Sequence, residues 1–161
     1  MRILIGCLLL GCSFAFAAEA LLVPDSEALH KLYGKSDLVS PNREGTPDSE
    51  SFHLRNDIHM TVMYGSDHHA CFIELTPEQP LRPQRPYHEM SWERVTEILE
   101  EIAPSAKRGK LNGGFTVCAG SPGIGDYDYE YLRITRRLRC GEDNSESNTK
   151  MYFKRDVCPK P

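Results

Sequence analysis

Four cysteines after residue 17 are the residues whose type and number most directly suggest a chemistry. A thiolate can act as a nucleophile, whereas an even set of cysteines in an exported protein forms disulfides. The start of the chain favours export, so two disulfides are predicted. The four residues are Cys71, Cys118, Cys140 and Cys158.

The N-terminal segment has the composition of a secretory signal peptide. Arg2 precedes a short apolar run, and residues 15–17 are Ala-Phe-Ala, a small-x-small pattern typical of signal peptidase sites. The mature protein is therefore predicted to begin near Ala18 and to be secreted or periplasmic. The alternative is a lipobox ending at Cys12, which would carry a lipid anchor. No later apolar run reaches the length of a membrane span.

Strand geometry reduces the three possible disulfide pairings to one. If 129–140 and 150–158 form a hairpin, Cys140 lies at its turn end and Cys158 at its open end, roughly 30 Å away. Disulfide-bonded residues have Cα atoms within about 7 Å of each other. The same argument applies to the preceding hairpin, predicted from strands at 113–119 and 127–140, where Cys118 lies near the turn and Cys140 at the far end. The predicted disulfides are Cys71–Cys140 and Cys118–Cys158.

The histidines predict neither a metal site nor a cofactor. His53 and His59 lie on one predicted strand, roughly 20 Å apart, and no His-x-x-x-His or His-Glu-x-x-His spacing occurs. A Gly-x-Ser-x-Gly nucleophile elbow is also absent, so no catalytic residue is predicted. The enzyme alternative is a small secreted hydrolase whose site is assembled from scattered residues such as His59, Glu74 and His69.

Tyrosines and then arginines occupy the odd positions of 127–140, which predicts a shared binding face if this segment is one strand. Both residue types are enriched at binding hot spots, and arginine stacks on tyrosine. The predicted partner is a protein, or an acidic polymer or glycan; the alternative is an ordinary solvent-facing sheet surface. The candidate residues are Tyr129, Tyr131, Arg133, Arg137 and Arg139.

Two other basic segments are candidates for recognition. Prolines recur every third residue from Pro77 to Pro86, the period of a polyproline II helix, and Arg82 and Arg85 follow the same period. This strip could be a rigid ligand for a partner or a stiff connector. The basic loop at 107–108 raises a third alternative, a protease inhibitor, by fold-level analogy.

Charge and length exclude several classes of protein. The net charge of −4 makes a nucleic-acid partner a poor expectation. The roughly 144 residues after the signal peptide suit one domain with its own core. The sequence does not predict an oligomeric state.

The elements that position these residues follow from periodicity and capping. A helix is predicted over 25–34, followed by a polar loop over 35–50. Alternating apolar residues over 52–64 predict a strand, which pairs with 70–75 so that His59 faces Glu74. Ser91 caps a predicted helix from Trp92 to about Ala103.

These elements predict an α+β fold: a single domain with an antiparallel sheet of about five strands, one main helix on one face and two disulfides. The predicted segments are a signal peptide at 1–17, a short helix and polar loop at 18–50, and the disulfide-linked domain at 51–161. The predicted function is an exported, non-enzymatic binding module. The predicted core residues are Phe52, Leu54, Met60, Val62, Ile73, Trp92, Val95, Leu99, Leu132 and Ile134.

Overall fold

The computed structural model describes residues 23–55, 57–78, 89–118, 123–140 and 145–158. The predicted signal peptide, the lipidation alternative at Cys12 and the arginines Arg82 and Arg85 lie outside these residues. Across the described ranges, no helix has both the length and the apolar character needed to cross a membrane.

One antiparallel sheet dominates the described part of the chain. Its nine strands run in the order β1-β2-β3-β4-β9-β8-β7-β6, and β5 pairs with one end of β9. The elements are α1 Ser26–Tyr33, β1 Leu38–Pro41, β2 Pro47–Leu54, β3 Ile58–Tyr64, β4 Ala70–Pro77, β5 Met90–Ser91, α2 Trp92–Ile102, a 3₁₀ helix Ser105–Lys107, β6 Leu111–Val117, β7 Gly123–Tyr129, β8 Leu132–Arg139 and β9 Ser145–Phe153.

The prediction of about five strands and one main helix is wrong. The stretch expected to be a polar loop contains β1 and the start of β2. Each of two segments expected to be one strand is a hairpin of two: β2 and β3 pair with each other, and so do β7 and β8. The fold is therefore mostly sheet, with two short helices among the described residues.

Both helices begin and end where the sequence predicts. The Asp25 side chain accepts a hydrogen bond from the Ala28 amide (2.8 Å), and Gly34 ends α1 with a φ of 86°. The Ser91 hydroxyl accepts one from the Arg94 amide (3.2 Å) at the start of α2.

The core lies between the two helices and one face of the sheet, with Leu29 of α1 and Val95 and Ile98 of α2 packed on strand residues. All the predicted core residues are buried except Trp92, which is half-buried. The guanidinium carbon of Arg136 lies 3.6 Å from the centroid of the Trp92 ring. We call the opposite sheet face the outer face; in the described residues neither helix packs on it.

The predicted register of β3 and β4 is wrong by two residues. His59 pairs with Thr76, and Glu74 pairs with Thr61. One residue of the shift arises because Tyr64 pairs with Ala70 and not with His69, and the second arises because an irregularity beside Tyr64 leaves Cys71 without a partner in the pairing. A shift of two residues preserves the alternation, which is why the buried residues are still those predicted.

Both predicted disulfides are wrong. The bonds are Cys71–Cys158 and Cys118–Cys140, with Cα atoms 5.3 and 5.7 Å apart. Because the chain turns at Glu130, β8 runs back along β7 and ends beside the start of β7, close to Cys118. The chain also turns after β9, which brings Cys158 to the start of β4.

Candidate functional site

The turn between β7 and β8 separates the tyrosines from the arginines that were predicted to share a face. Tyr127 pairs with Ile134, so Tyr127 and Tyr129 lie on the core side, and Tyr131 in the turn also packs against the core. Arg133 pairs with Asp128 on the outer face. In a single strand all odd-numbered residues would share one face. The two-residue turn changes this: odd-numbered residues face the core in β7, whereas even-numbered residues face it in β8.

Two of the three arginines on the predicted face are neutralised by carboxylates. Arg133 donates from Nε (2.9 Å) and Nη2 (2.6 Å) to Asp126, and this bidentate contact lowers the pKa of Asp126 and raises that of Arg133. Arg139 donates to Glu89 at 3.0 Å. Arg137 is exposed and has no ion-pair partner among the described residues.

Exposed apolar side chains gather where the outer face meets β6. Val117 pairs with Ile124, which pairs with Arg137, so the three residues form one row across three strands. Phe115 lies in the next row. The exposed fractions of Phe115, Val117 and Ile124 are 54%, 47% and 50%. The sequence alone did not predict this patch, because the patch depends on β6 lying at the edge of the sheet.

An open depression of about 460 Å³ adjoins this patch. A Cβ added at Gly113 would meet nothing within 4 Å, whereas at Gly114 it would lie 3.0 Å from the Tyr127 ring. The space over Gly113 is therefore free for a side chain from elsewhere. The depression is lined by Gly113, Gly114, Phe115, Asp126, Asp128 and Arg133.

The two edges of the sheet differ in how they resist pairing with another chain. β1 has only four residues, ends at Pro41 and is irregular beside Ser40. These features discourage strand addition. β6 has seven residues, all exposed, and contains neither a proline nor a charged residue. Among the described residues no strand pairs with this edge of β6, which leaves it free to pair with a strand of another chain.

The residues of the hydrolase alternative do not meet in one site. Glu74 accepts a hydrogen bond from Asn148 (2.6 Å) and pairs with Lys150 (3.3 Å). His69 lies at the start of β4 and His59 opposite its far end, roughly 23 Å along the strand.

The basic loop of the inhibitor alternative is not an exposed recognition loop. Arg108 is buried, and its Nε donates to the Ala103 carbonyl at 2.7 Å. Its Nη2 donates to Glu100 at 2.6 Å. Arg108 therefore caps the C-terminal end of α2 by donating to a free backbone carbonyl.

A buried carboxylate on β2 is fully occupied by structural hydrogen bonds. Glu50 Oε1 contacts His30 (2.9 Å) and Ser36 (3.2 Å), and Oε2 accepts from Ser26 (2.8 Å) and Tyr64 (2.6 Å). Burial alone would raise the Glu50 pKa, but the bonds from Tyr64 and Ser26 and the nearby His30 outweigh it and lower the pKa. Burial and the bond to Glu50 raise the pKa of Tyr64, so its phenol remains a donor. This cluster joins α1 to the sheet.

A second buried carboxylate, Glu146, pairs with Arg136 and accepts from Thr149. Arg136 also lies over the Trp92 ring, which connects α2 to β8 and β9. Both oxygens of Glu146 have partners, so the cluster offers no free reactive group.

The prediction that His53 and His59 are far apart is wrong. The chain turns between Leu54 and Ile58, which pair with each other, and this makes His53 and His59 direct cross-strand partners. Their Cβ atoms are therefore about 5 Å apart on the outer face.

Comparison with known proteins adds one weak structural likeness. No family model matches the chain, and no curated protein does. A crystal structure of a DUF4309 family protein (YjgB) from Bacillus subtilis subsp. subtilis str. 168 is similar at a TM-score of 0.40 and 14% sequence identity. The match covers 81% of this chain and 78% of that one. A likeness at this level carries no argument about function.

Proposed function

We propose that the protein is an exported, non-enzymatic interaction module that binds an extended segment of a partner protein along the β6 edge. The observation that carries the proposal is the unprotected edge strand with exposed Phe115, Val117 and Ile124 beside it. Strand addition of this kind takes affinity from main-chain hydrogen bonds and specificity from pockets for alternate side chains.

The depression beside Phe115 favours a different protein over a second copy of this chain. Pairing two β6 strands about their midpoint would place Gly114 opposite Gly114 and Gly113 opposite Phe115. Cross-strand side-chain contacts stabilise paired strands, and glycines supply none. A partner strand with a bulky apolar residue facing Gly113 would fill the open space and cover Phe115.

An acidic polymer or glycan fits the outer face less well than a peptide. Arg133 and Arg139 are already paired with carboxylates, and Asp128 pairs with Lys154 at 2.6 Å. A polyanion needs a row of unpaired cations. The mixed charges instead form a polar rim around an apolar patch, the usual arrangement of a protein interface.

Export is supported by the N-terminal pattern and by the two disulfides, which suit an oxidising compartment. N-terminal sequencing of the protein recovered outside the cytoplasm should begin at Ala18. A lipid-blocked N-terminus at Cys12 would contradict this cleavage and indicate membrane anchoring.

Binding is tested by selecting peptides from a displayed random library against the disulfide-bonded protein. Selected peptides should be extended and apolar, and Val117→Lys should weaken their binding at least tenfold, because a charged edge disfavours strand addition. Leu38→Lys is the matched control, since Leu38 is an exposed apolar residue on the opposite edge strand. Equal binding to both variants, or self-association that Val117→Lys abolishes, would contradict the proposal.

A further inference from the structure

A group of possible metal ligands lies at the end of the β2–β3 hairpin, far from the β6 edge. Ligand atoms of His53, Asp57 and Glu78 all lie within 4.8 Å of one another. Six strand spacings separate β2 from β6, roughly 29 Å at about 4.8 Å per strand. The group is thus independent of the proposed peptide-binding edge.

The backbone holds the three residues in place. The Glu78 amide donates to the Asp57 carbonyl at 2.6 Å, directly after the pairing of Ile58 with Pro77. Asp57 has a φ of 57°, a left-handed conformation that aspartate tolerates better than most residues. The residues therefore come from three different strand ends joined by sheet pairing.

We propose that His53, Asp57 and Glu78 form a binding site for a divalent transition metal ion, with Zn²⁺ as the best-fitting ion. His53 Nδ1 and Glu78 Oε1 are 3.7 Å apart, close to the roughly 3.4 Å between ligands of tetrahedral zinc. One imidazole with two carboxylates is a donor set that zinc accepts, and it leaves a fourth position open to water.

The surroundings favour Zn²⁺ over Ca²⁺. Calcium prefers six to eight oxygen ligands, whereas imidazole suits zinc and its neighbours in the transition series. A second imidazole, His59, lies opposite His53 on the same face. The side chains of His53 and Glu78 are 48% and 49% exposed, so an ion can reach them from solvent.

The test is titration of the chelator-stripped, disulfide-bonded protein with Zn²⁺ in competition with a chromophoric chelator. The intact protein should bind one equivalent, and His53→Ala and Glu78→Gln should each lower the affinity at least about tenfold. His68→Asn is the matched control: His68 is an exposed histidine in the β3–β4 turn, and asparagine tolerates its φ of 62°.

Thermal melting of each variant without metal separates loss of a ligand from loss of the fold. The site is supported if all three variants melt at the same temperature as the intact protein, and if Zn²⁺ binding is weakened in His53→Ala and Glu78→Gln but not in His68→Asn. The site is refuted if the intact protein shows no saturable Zn²⁺ binding, or if His53→Ala binds as tightly as His68→Asn. Displacement of Zn²⁺ by an equal concentration of Ca²⁺ would also refute it, because the imidazole would then not be a ligand.

Discussion

Replacing the buried carboxylate of Glu50 by an amide should destabilise the protein without changing its shape. In Glu50→Gln, an NH₂ group replaces one oxygen, and the two hydroxyls beside it must turn from donating to accepting. All four hydrogen bonds then lose their charged partner, a weakening of roughly 0.8 kcal/mol each, so the free energy of unfolding should fall by about 3 kcal/mol at neutral pH. For a protein of this size that corresponds to a fall of roughly 6–12 °C in melting temperature.

The effect should depend on pH in a defined direction. The folded-state pKa of Glu50 is lowered, so its stabilisation is complete above the unfolded pKa of about 4.3 and is lost as pH falls through the folded pKa. The difference in stability between the intact protein and Glu50→Gln should therefore shrink steadily below about pH 4.3.

Urea denaturation at pH 7 and at several acid pH values measures this difference directly. Glu44→Gln is the control, because Glu44 is exposed in a loop and its loss should change stability by less than about 0.5 kcal/mol. Equal stability of Glu50→Gln and the intact protein at pH 7 would refute the reasoning. So would a deficit that stays constant as the pH falls.

The disulfides and the second buried carboxylate give further predictions. From the loss of chain entropy in the unfolded state, Cys118–Cys140, which closes a loop of 22 residues, should stabilise the fold by about 3.4 kcal/mol. Cys71–Cys158, which closes a loop of 87 residues, should stabilise it by about 4.6 kcal/mol. Replacing Cys71 and Cys158 by alanine should therefore cost more in urea denaturation than replacing Cys118 and Cys140; the reverse order would contradict this account. Arg136→Ala should cost about 3–5 kcal/mol because it leaves a buried carboxylate unpaired, and a loss below about 1 kcal/mol would show that water reaches the site.

The sequence predicted the helices and the core because local signals determine both. Caps at Asp25 and Ser91 determine where the helices begin, and alternation identifies the buried face of β2, β3 and β4. The turn between β2 and β3 was not predicted, because its length of three residues leaves no break in the apolar pattern. Paired residues share a face, and an odd number of turn residues keeps the core-facing residues on even positions in both strands, so the apolar alternation continues unbroken through the hairpin.

The turn between β7 and β8 was missed for the opposite reason. Because the turn has two residues, the core-facing positions are odd-numbered before it and even-numbered after it. Tyr129 therefore points to the core, although Arg133, four residues later, points outward. Both wrong disulfides and the misplaced tyrosines follow from this turn and the one after β9. The β6 edge could not be predicted either, because edge position depends on the order of strands, which local sequence does not encode.

Addition of a partner strand to β6 is tested most directly by amide hydrogen exchange in the presence of a selected peptide. Strand addition predicts that the amides of 111–117 exchange more slowly when the peptide is bound, while those of β1 at 38–41 are unchanged. Unchanged exchange in β6, with protection elsewhere on the sheet, would contradict the claim.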